Sequence, residues 1–161
     1  MPTQTYTPLA NVTLGSSAAS VTFSSIPATY RDLIVVIDGK SGTTTNADVR
    51  LRPNNDSGNA TRVFMFGDGS TTSSQAFTDA IFVATLPPSN STNASAMAQI
   101  MDYPATDKHK TILQRSAVAS QFVSANAARW ASTSAITSIV LMVTTESMGA
   151  GTTLSLYGIS A

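Results

Sequence analysis

The segment Leu33-Ile34-Val35-Val36-Ile37-Asp38 decides the fold class of this chain. It is a nearly continuous run of β-branched residues that follows Pro27 and ends at the polar segment 39–46. A short apolar run between turn signals is typical of a strand that is buried on both faces. We therefore expect a central strand here, inside a sheet that is covered on both sides.

Similar short runs recur on both sides of this strand, separated by clusters of Gly, Pro, Asn and Ser. In residues 47–52, for example, Val49 and Leu51 alternate with charged residues, which is typical of a half-buried strand. The other candidate strands are residues 6–14, 20–24, 61–66, 77–86, 96–103, 110–119, 122–130, 136–144 and 152–159. About ten strands at this spacing indicate an antiparallel β-sandwich or barrel. Only residues 124–131 carry a competing, Ala-rich helical signal, and segments 39–46 and 70–74 are expected to be flexible loops.

The composition agrees with an all-β domain and excludes one class of partner. The 161 residues include 45 Ser and Thr, and 42% of the chain is hydrophobic, which is enough for the core of a single domain. Only 11% of residues are charged, and the 9 basic and 9 acidic residues balance. A nucleic-acid-binding protein would need a basic surface. We therefore expect no nucleic-acid partner, and the neutral, hydroxyl-rich surface is compatible with assembly.

The sequence also argues against several other classes of protein. The chain has no cysteine, so disulfide scaffolds and cysteine zinc sites are excluded. Residues 1–5 have neither the basic nor the apolar region of a secretion signal. The longest apolar run is Leu33 to Ile37, far from the roughly 20 residues of a membrane span. We expect no membrane partner.

The candidate chemical groups favour a structural interpretation. The single histidine, His109, lies between two lysines, which disfavour a second positive charge and a metal ion. No Gly-x-Ser-x-Gly motif is present, and the single glutamate, Glu146, has no evident carboxylate partner. Residues 54–59 are rich in oxygen ligands, but a turn explains them better than a calcium site. We predict that the chain is not an enzyme and binds no cofactor or metal.

The aromatic residues leave two interpretations open. The phenylalanines lie on strand-like runs, which favours a role in the core. An exposed cluster around Tyr103 or Trp130 would instead suit a sugar ligand. The six phenylalanines expected in the core are Phe23, Phe64, Phe66, Phe77, Phe82 and Phe122.

Four stretches, taken together and in order, resemble a known family. They are FSSIPATYRDL at residues 23–33, VRLRPNNDSGN at 49–59, WASTSAITSI at 130–139 and AGTTLSLYGI at 150–159. The combination resembles a jelly-roll module of tailed-bacteriophage virion proteins, especially those of cyanobacterial and marine phages. In that family the module is a stand-alone capsid decoration protein or a domain of a tail fibre. The chain departs from the pattern at Pro53 and Met148, where aromatic residues are expected, and both positions lie at loop edges.

The resemblance implies an antiparallel jelly-roll sandwich of about eight to ten strands over residues 12–161, preceded by a short extended arm over residues 1–11. It implies a capsid decoration (cement) protein on the outside of the virion, whose partners are the major capsid protein and further copies of the chain, most simply a trimer. The family brings no catalytic residues. We expect the arm and the 39–46 loop to contact the capsid or a neighbouring subunit. The residues expected to make these contacts are Thr5, Tyr6, Thr7, Pro8, Leu9, Gly42 and Thr44.

The alternative is a receptor-binding module of a tail or head fibre that recognises glycan on the host surface. A fibre protein usually has a long attachment region before its binding domain. Residues 1–10 are too short for such a region. The decoration protein is therefore the expected function, and host glycan is a partner only in the alternative.

Overall fold

The computed structural model describes residues 5–78, 80–119 and 121–160, which form strands joined by turns and loops. The predicted all-β class is confirmed. No helix in these residues is long and apolar enough to cross a membrane. The strands in the described residues are β1 (Tyr6–Thr13), β2 (Ser20–Phe23), β3 (Asp32–Gly39), β4 (Ala47–Pro53), β5 (Ala60–Gly67), β6 (Thr72–Phe77), β7 (Ile81–Leu86), β8 (Ala94–Ile100), β9 (Lys110–Val118), β10 (Phe122–Trp130), β11 (Ile139–Met142) and β12 (Thr153–Ile159).

The strands form two antiparallel sheets of unequal width. The large sheet has the order β1-β12-β3-β8-β9-β10-β5-β6, and the small sheet has the order β2-β11-β4-β7. Every described strand pair is antiparallel. The predicted antiparallel β-sandwich is therefore confirmed.

The residue pattern of each strand explains its place. In β9 every second residue is buried from Lys110 to Val118, as expected for a strand with one covered face. In β3, which lies inside the large sheet between β12 and β8, the residues Asp32 to Val35 and Ile37 are buried, Val36 is half-buried and Asp38 is exposed. The expected central position is confirmed, but the expected burial on both faces is not, because Val36 and Asp38 on the outward face reach solvent. The core between the sheets includes Leu33, Val35, Ile37, Val49, Leu51, Ile139, Leu141, Leu154 and Leu156.

One end of the large sheet extends beyond the small sheet. The last strand of the small sheet, β7, packs on β8, β9 and β10 and only lightly on β5. Strands β5 and β6 continue the large sheet past this edge. We call the half of the large sheet made of β9, β10, β5 and β6 the extension, although β7 still packs on β9 and β10 and only β5 and β6 pass its edge.

The structure departs from the predicted N-terminal arm. Residues 6–11 belong to β1, which pairs with β12 at the edge of the large sheet. The register shifts between Pro8 and Ala10, which fits a proline on an edge strand, since proline cannot donate a ladder hydrogen bond. Leu9 packs against the core. The boundary expected between arm and domain at residues 11 and 12 thus falls inside a paired strand, and residues 1–4 lie outside the described residues.

Two loops expected to be flexible are ordered by specific contacts. The predicted 70–74 loop includes the start of β6, which pairs with β5 from Thr72 onward. In the 39–46 loop, the Thr43 hydroxyl donates to Glu146 at 2.7 Å and lies 3.0 Å from the Ser41 hydroxyl. The weak helical signal of residues 124–131 is overridden, because β10 is held between β9 and β5.

Candidate functional site

A cleft opens where the small sheet ends and the extension continues. Its volume is about 600 Å³, within the range of ligand-binding pockets. The inner face of β5 and β6 forms one wall, and β4 and β7 form the other. The residues that line it are Asn46, Asp48, Arg50, Arg62, Phe64, Phe66, Gln75, Phe77, Phe82, Thr85, Phe122, Thr144 and Thr145.

The floor of the cleft is aromatic. Phe64 lies 5.2 Å from Phe82, ring centre to ring centre, with the planes at 81°. Phe66 lies 5.7 Å from Phe64 and 6.3 Å from Phe122. These separations are those of favourable aromatic pairs, so the rings support one another in fixed positions.

The prediction that the phenylalanines belong to the core needs a correction. Phe23 and Phe82 are buried, as expected. The rings of Phe64, Phe66, Phe77 and Phe122 are only half-buried and face the cleft. The physical reason is the unequal width of the sheets, because β7 is the last strand of the small sheet and packs only lightly on β10 and β5.

Polar groups border the aromatic floor. The guanidinium of Arg62 lies 4.2 Å from the Phe77 ring centre, a cation–π contact. The Thr85 hydroxyl donates to the carboxylate of Asp48 at 2.8 Å. At one end the Asn46 amide donates to the Gln121 side chain at 3.0 Å. The border therefore offers donors and acceptors at defined places.

Two buried amides lie behind this floor. Asn126 is the cross-strand neighbour of Phe64, and its Nδ2 donates to the Phe82 carbonyl at 2.8 Å. Its Oδ1 has no hydrogen-bond partner among the described residues. The same holds for both polar atoms of Gln114, the neighbour of Asn126 on β9. A buried polar atom without a partner costs stability.

The opposite, outer face of the extension carries a group of exposed apolar side chains. Four of the five large hydrophobic residues that are exposed in the described part of the chain lie there: Val63, Met65, Leu113 and Val123. Cross-strand pairing places them on one face, because Val63 pairs with Ala127 and Ala127 pairs with Leu113. We call these four residues the outer patch.

The charges beside the outer patch have one sign. Arg115 and Arg129 are exposed on the same face of β9 and β10. The described outward-facing residues of the extension include no carboxylate. A complementary partner would therefore supply acidic groups.

The structure separates the residues predicted to contact the capsid into two groups. Thr5 to Leu9 lie at or near the start of β1, where Tyr6 pairs with Ile159 beside the beginning of β3. Gly42 and Thr44 follow the end of β3. An eight-residue strand spans about 23 Å, so the two groups lie at opposite ends of the sandwich and do not form one surface.

Within each group the exposure varies. Tyr6 is 52% exposed, and Thr5, Pro8 and Thr44 are exposed as well. The Leu9 side chain is partly buried and packs against the core. The Gly42 backbone donates to the Ser147 carbonyl, and a side chain at this position would meet Ser17 and Ser147. Gly42 therefore has a structural role in anchoring its loop.

Two further candidates from the sequence are the 54–59 loop and His109, and the loop has a structural role. Asp56 of the 54–59 loop accepts hydrogen bonds from the Gly58 backbone, Asn59 and Trp130. These bonds, first that of Gly58, hold the pKa of Asp56 below its usual value. His109 is exposed just before β9. The described residues hold no group of three or more histidine or acidic side chains that would suit a metal ion.

The aromatic residues Tyr103 and Trp130, considered above for a sugar site, are instead buried. The Tyr103 hydroxyl donates to the Pro27 carbonyl, and burial raises its pKa. Trp130 lies beside the buried Lys110, whose Nζ donates to the Lys108 carbonyl at 3.0 Å. Burial lowers the pKa of Lys110. These groups close one end of the core and present no ring to a ligand.

Comparisons with known proteins add no assignment to this geometry. A scan against protein-family models finds no match, and a search of curated proteins finds no similar sequence.

Proposed function

We propose that the chain is a structural protein of a tailed-bacteriophage particle, a capsid decoration protein bound to the outside of the head as a homo-oligomer. The observation that carries this proposal is the outer patch. Exposed apolar residues that cluster on one sheet face are typical of a protein-interaction surface. In a chain with few charges, such a face suits a lasting contact between proteins.

The charges beside the patch indicate what binds there. Two copies packed face to face would bring Arg115 and Arg129 of each copy close to the other copy's arginines, which costs free energy. A surface with apolar groups and carboxylates avoids this cost. We therefore assign the outer patch to the major capsid protein rather than to a second copy, and the trimer expected from the resemblance would use another surface.

The strand order supports a jelly-roll frame. Strands β1, β3, β8 and β12 lie in the large sheet, and β2, β4, β7 and β11 lie in the small one. The chain thus alternates between the sheets over β1 to β4 and crosses between them again after β7. We infer a jelly roll of these eight strands, in which β5–β6 and β9–β10 are hairpins inserted to build the extension.

Immunogold electron microscopy of phage particles that carry this chain tests the location. The proposal expects label on the head. Label on the tail would favour the receptor-binding alternative, and unlabelled particles would overturn a virion role.

Rebinding to heads that lack the chain tests the surface. Met65→Glu and Arg115→Glu are expected to reduce retention at least tenfold, and binding of the native chain should weaken with added salt. Thr22→Glu is the matched control, because it places the same charge at an exposed strand position of the small sheet. Retention of all three variants would show that the patch is not the capsid contact. Light scattering of each variant reports separately whether the oligomer persists.

A further inference from the structure

We propose that the aromatic cleft binds carbohydrate, as a segment of a few sugar residues. This site does not depend on the decoration role, because it lies on the inner face of the extension and the outer patch lies on the other. A copy bound to a capsid through the outer patch would keep the cleft accessible.

The first argument is the cost of leaving these rings only half-buried. Burying a phenylalanine side chain fully stabilises a folded chain, and four half-buried rings of the cleft give up part of this stabilisation. They remain grouped on one floor and are not scattered over the surface. A ligand with an apolar face would recover the lost burial.

The second argument is the chemistry of the border. An apolar ligand would find the exposed side chains of Asp48, Gln75 and Thr144 around the floor, and it would strip water from them without replacing their hydrogen bonds. A sugar ring has both kinds of surface, since its C–H faces pack on aromatic rings and its hydroxyls both donate and accept. Carboxylate, amide and hydroxyl side chains together match such a set of hydroxyls.

The third argument is the fit of size and rigidity. A volume of about 600 Å³ admits an oligosaccharide segment. Arg62 is held over Phe77, and Phe64 is held edge-on to Phe82, so the rings are in position before a ligand arrives. Preformed sites lose less free energy on ordering.

The test uses the full chain with an array of bacterial surface glycans, followed by NMR titration with each oligosaccharide that binds. We expect at least one oligosaccharide to shift the ring signals of the cleft phenylalanines. Phe122→Ala should weaken its binding by about three- to tenfold, the loss expected for one aromatic contact. Gln75→Ala, at an exposed position that does not affect the core, should weaken binding as well.

Tyr6→Ala is the matched control, because it removes an exposed aromatic ring far from the cleft and should leave affinity unchanged. Three outcomes would overturn the proposal: no array glycan binds, binding persists unchanged in both cleft variants, or Phe122→Ala alters the oligomeric state and shows that a second copy fills the cleft. The decoration role predicts that Phe122→Ala is fully retained on capsids. Measuring this retention therefore distinguishes a failure of the carbohydrate proposal from a failure of the decoration proposal.

Discussion

The indole Nε1 of Trp130 donates a 2.8 Å hydrogen bond to Oδ2 of Asp56, and this bond joins the end of β10 to the loop after β4. The Trp130 side chain is buried, so its N–H needs a partner within the protein. Asp56 also fixes its own loop, because Oδ1 accepts from the Gly58 backbone at 2.9 Å. One carboxylate therefore connects the large sheet to a loop of the small one.

Asp56→Ala is expected to lower the free energy of unfolding by about 1–3 kcal/mol, because it leaves the buried indole N–H unpaired. Chemical denaturation followed by Trp130 fluorescence measures the change. Asp68→Ala is the control, since Asp68 makes comparable local bonds to Ser70 and Thr71 in an exposed turn but has no buried partner. Equal losses in the two variants would show that the indole bond contributes nothing.

The same carboxylate predicts a dependence on pH. The pKa of Asp56 is lower in the folded chain than its ordinary value of 3.8, chiefly through the Gly58 backbone hydrogen bond. A lowered folded pKa means that the contribution is complete above the ordinary value and is lost as pH falls through the folded pKa. Asp56→Asn keeps one acceptor oxygen but does not titrate. We expect the stability difference between the native chain and this variant to be constant from pH 5 to 7 and to shrink below about pH 4. A difference that stays constant down to pH 2 would contradict this prediction.

The all-β class and most of the strands could be predicted from the sequence, because burial of one strand face places apolar residues in a regular pattern. The apolar run of β3 and the alternation of β4, where Val49 and Leu51 are buried, are visible in the sequence since these buried positions carry apolar side chains. In β9 the pattern is hidden, because Gln114 and Ser116 are buried and Leu113 is exposed. Strand β6 is not visible in this way. Its residues Thr72 to Phe77 carry no apolar alternation, and pairing with β5 alone makes them a strand.

The cleft is hidden from the sequence for a related reason. Phe64 and Phe66 occupy the inner face of β5, just as core residues would. Whether an inner face is covered depends on how many strands lie opposite, and this follows from the strand order of both sheets. Likewise, residues expected to act together, such as Tyr6 and Thr44, lie at opposite ends of the sandwich because of the direction in which β3 runs.

At the amide of Gln114 we predict a substitution that raises the free energy of unfolding, whereas Asp56→Ala lowers it. It is 4% exposed, and neither of its polar atoms has a partner in the described residues. Gln114→Leu removes the buried polar atoms at similar volume, so we expect a gain of about 1 kcal/mol in the free energy of unfolding. Gln99→Leu is the matched control on the neighbouring strand, because Gln99 donates to Asp32 at 2.8 Å and its loss should destabilise the chain. Thermal denaturation compares the two. A loss of stability in Gln114→Leu would mean that water satisfies this amide.

Gly158 on β12 gives the last prediction, because the ring of Tyr30 lies directly over it. A methyl group at Gly158 would overlap ring atoms Cγ, Cδ1 and Cδ2 of Tyr30, so the ring or the strand would have to move. Overpacking of this kind costs about 1–3 kcal/mol, and we expect Gly158→Ala to lower the denaturation midpoint accordingly. Gly15→Ala is the matched control, since a methyl group there meets nothing within 4 Å. If Tyr30 is the obstacle, adding Tyr30→Ala to Gly158→Ala should cost less than the sum of the two single changes. Additive losses would show instead that the strand itself rejects a side chain at this position.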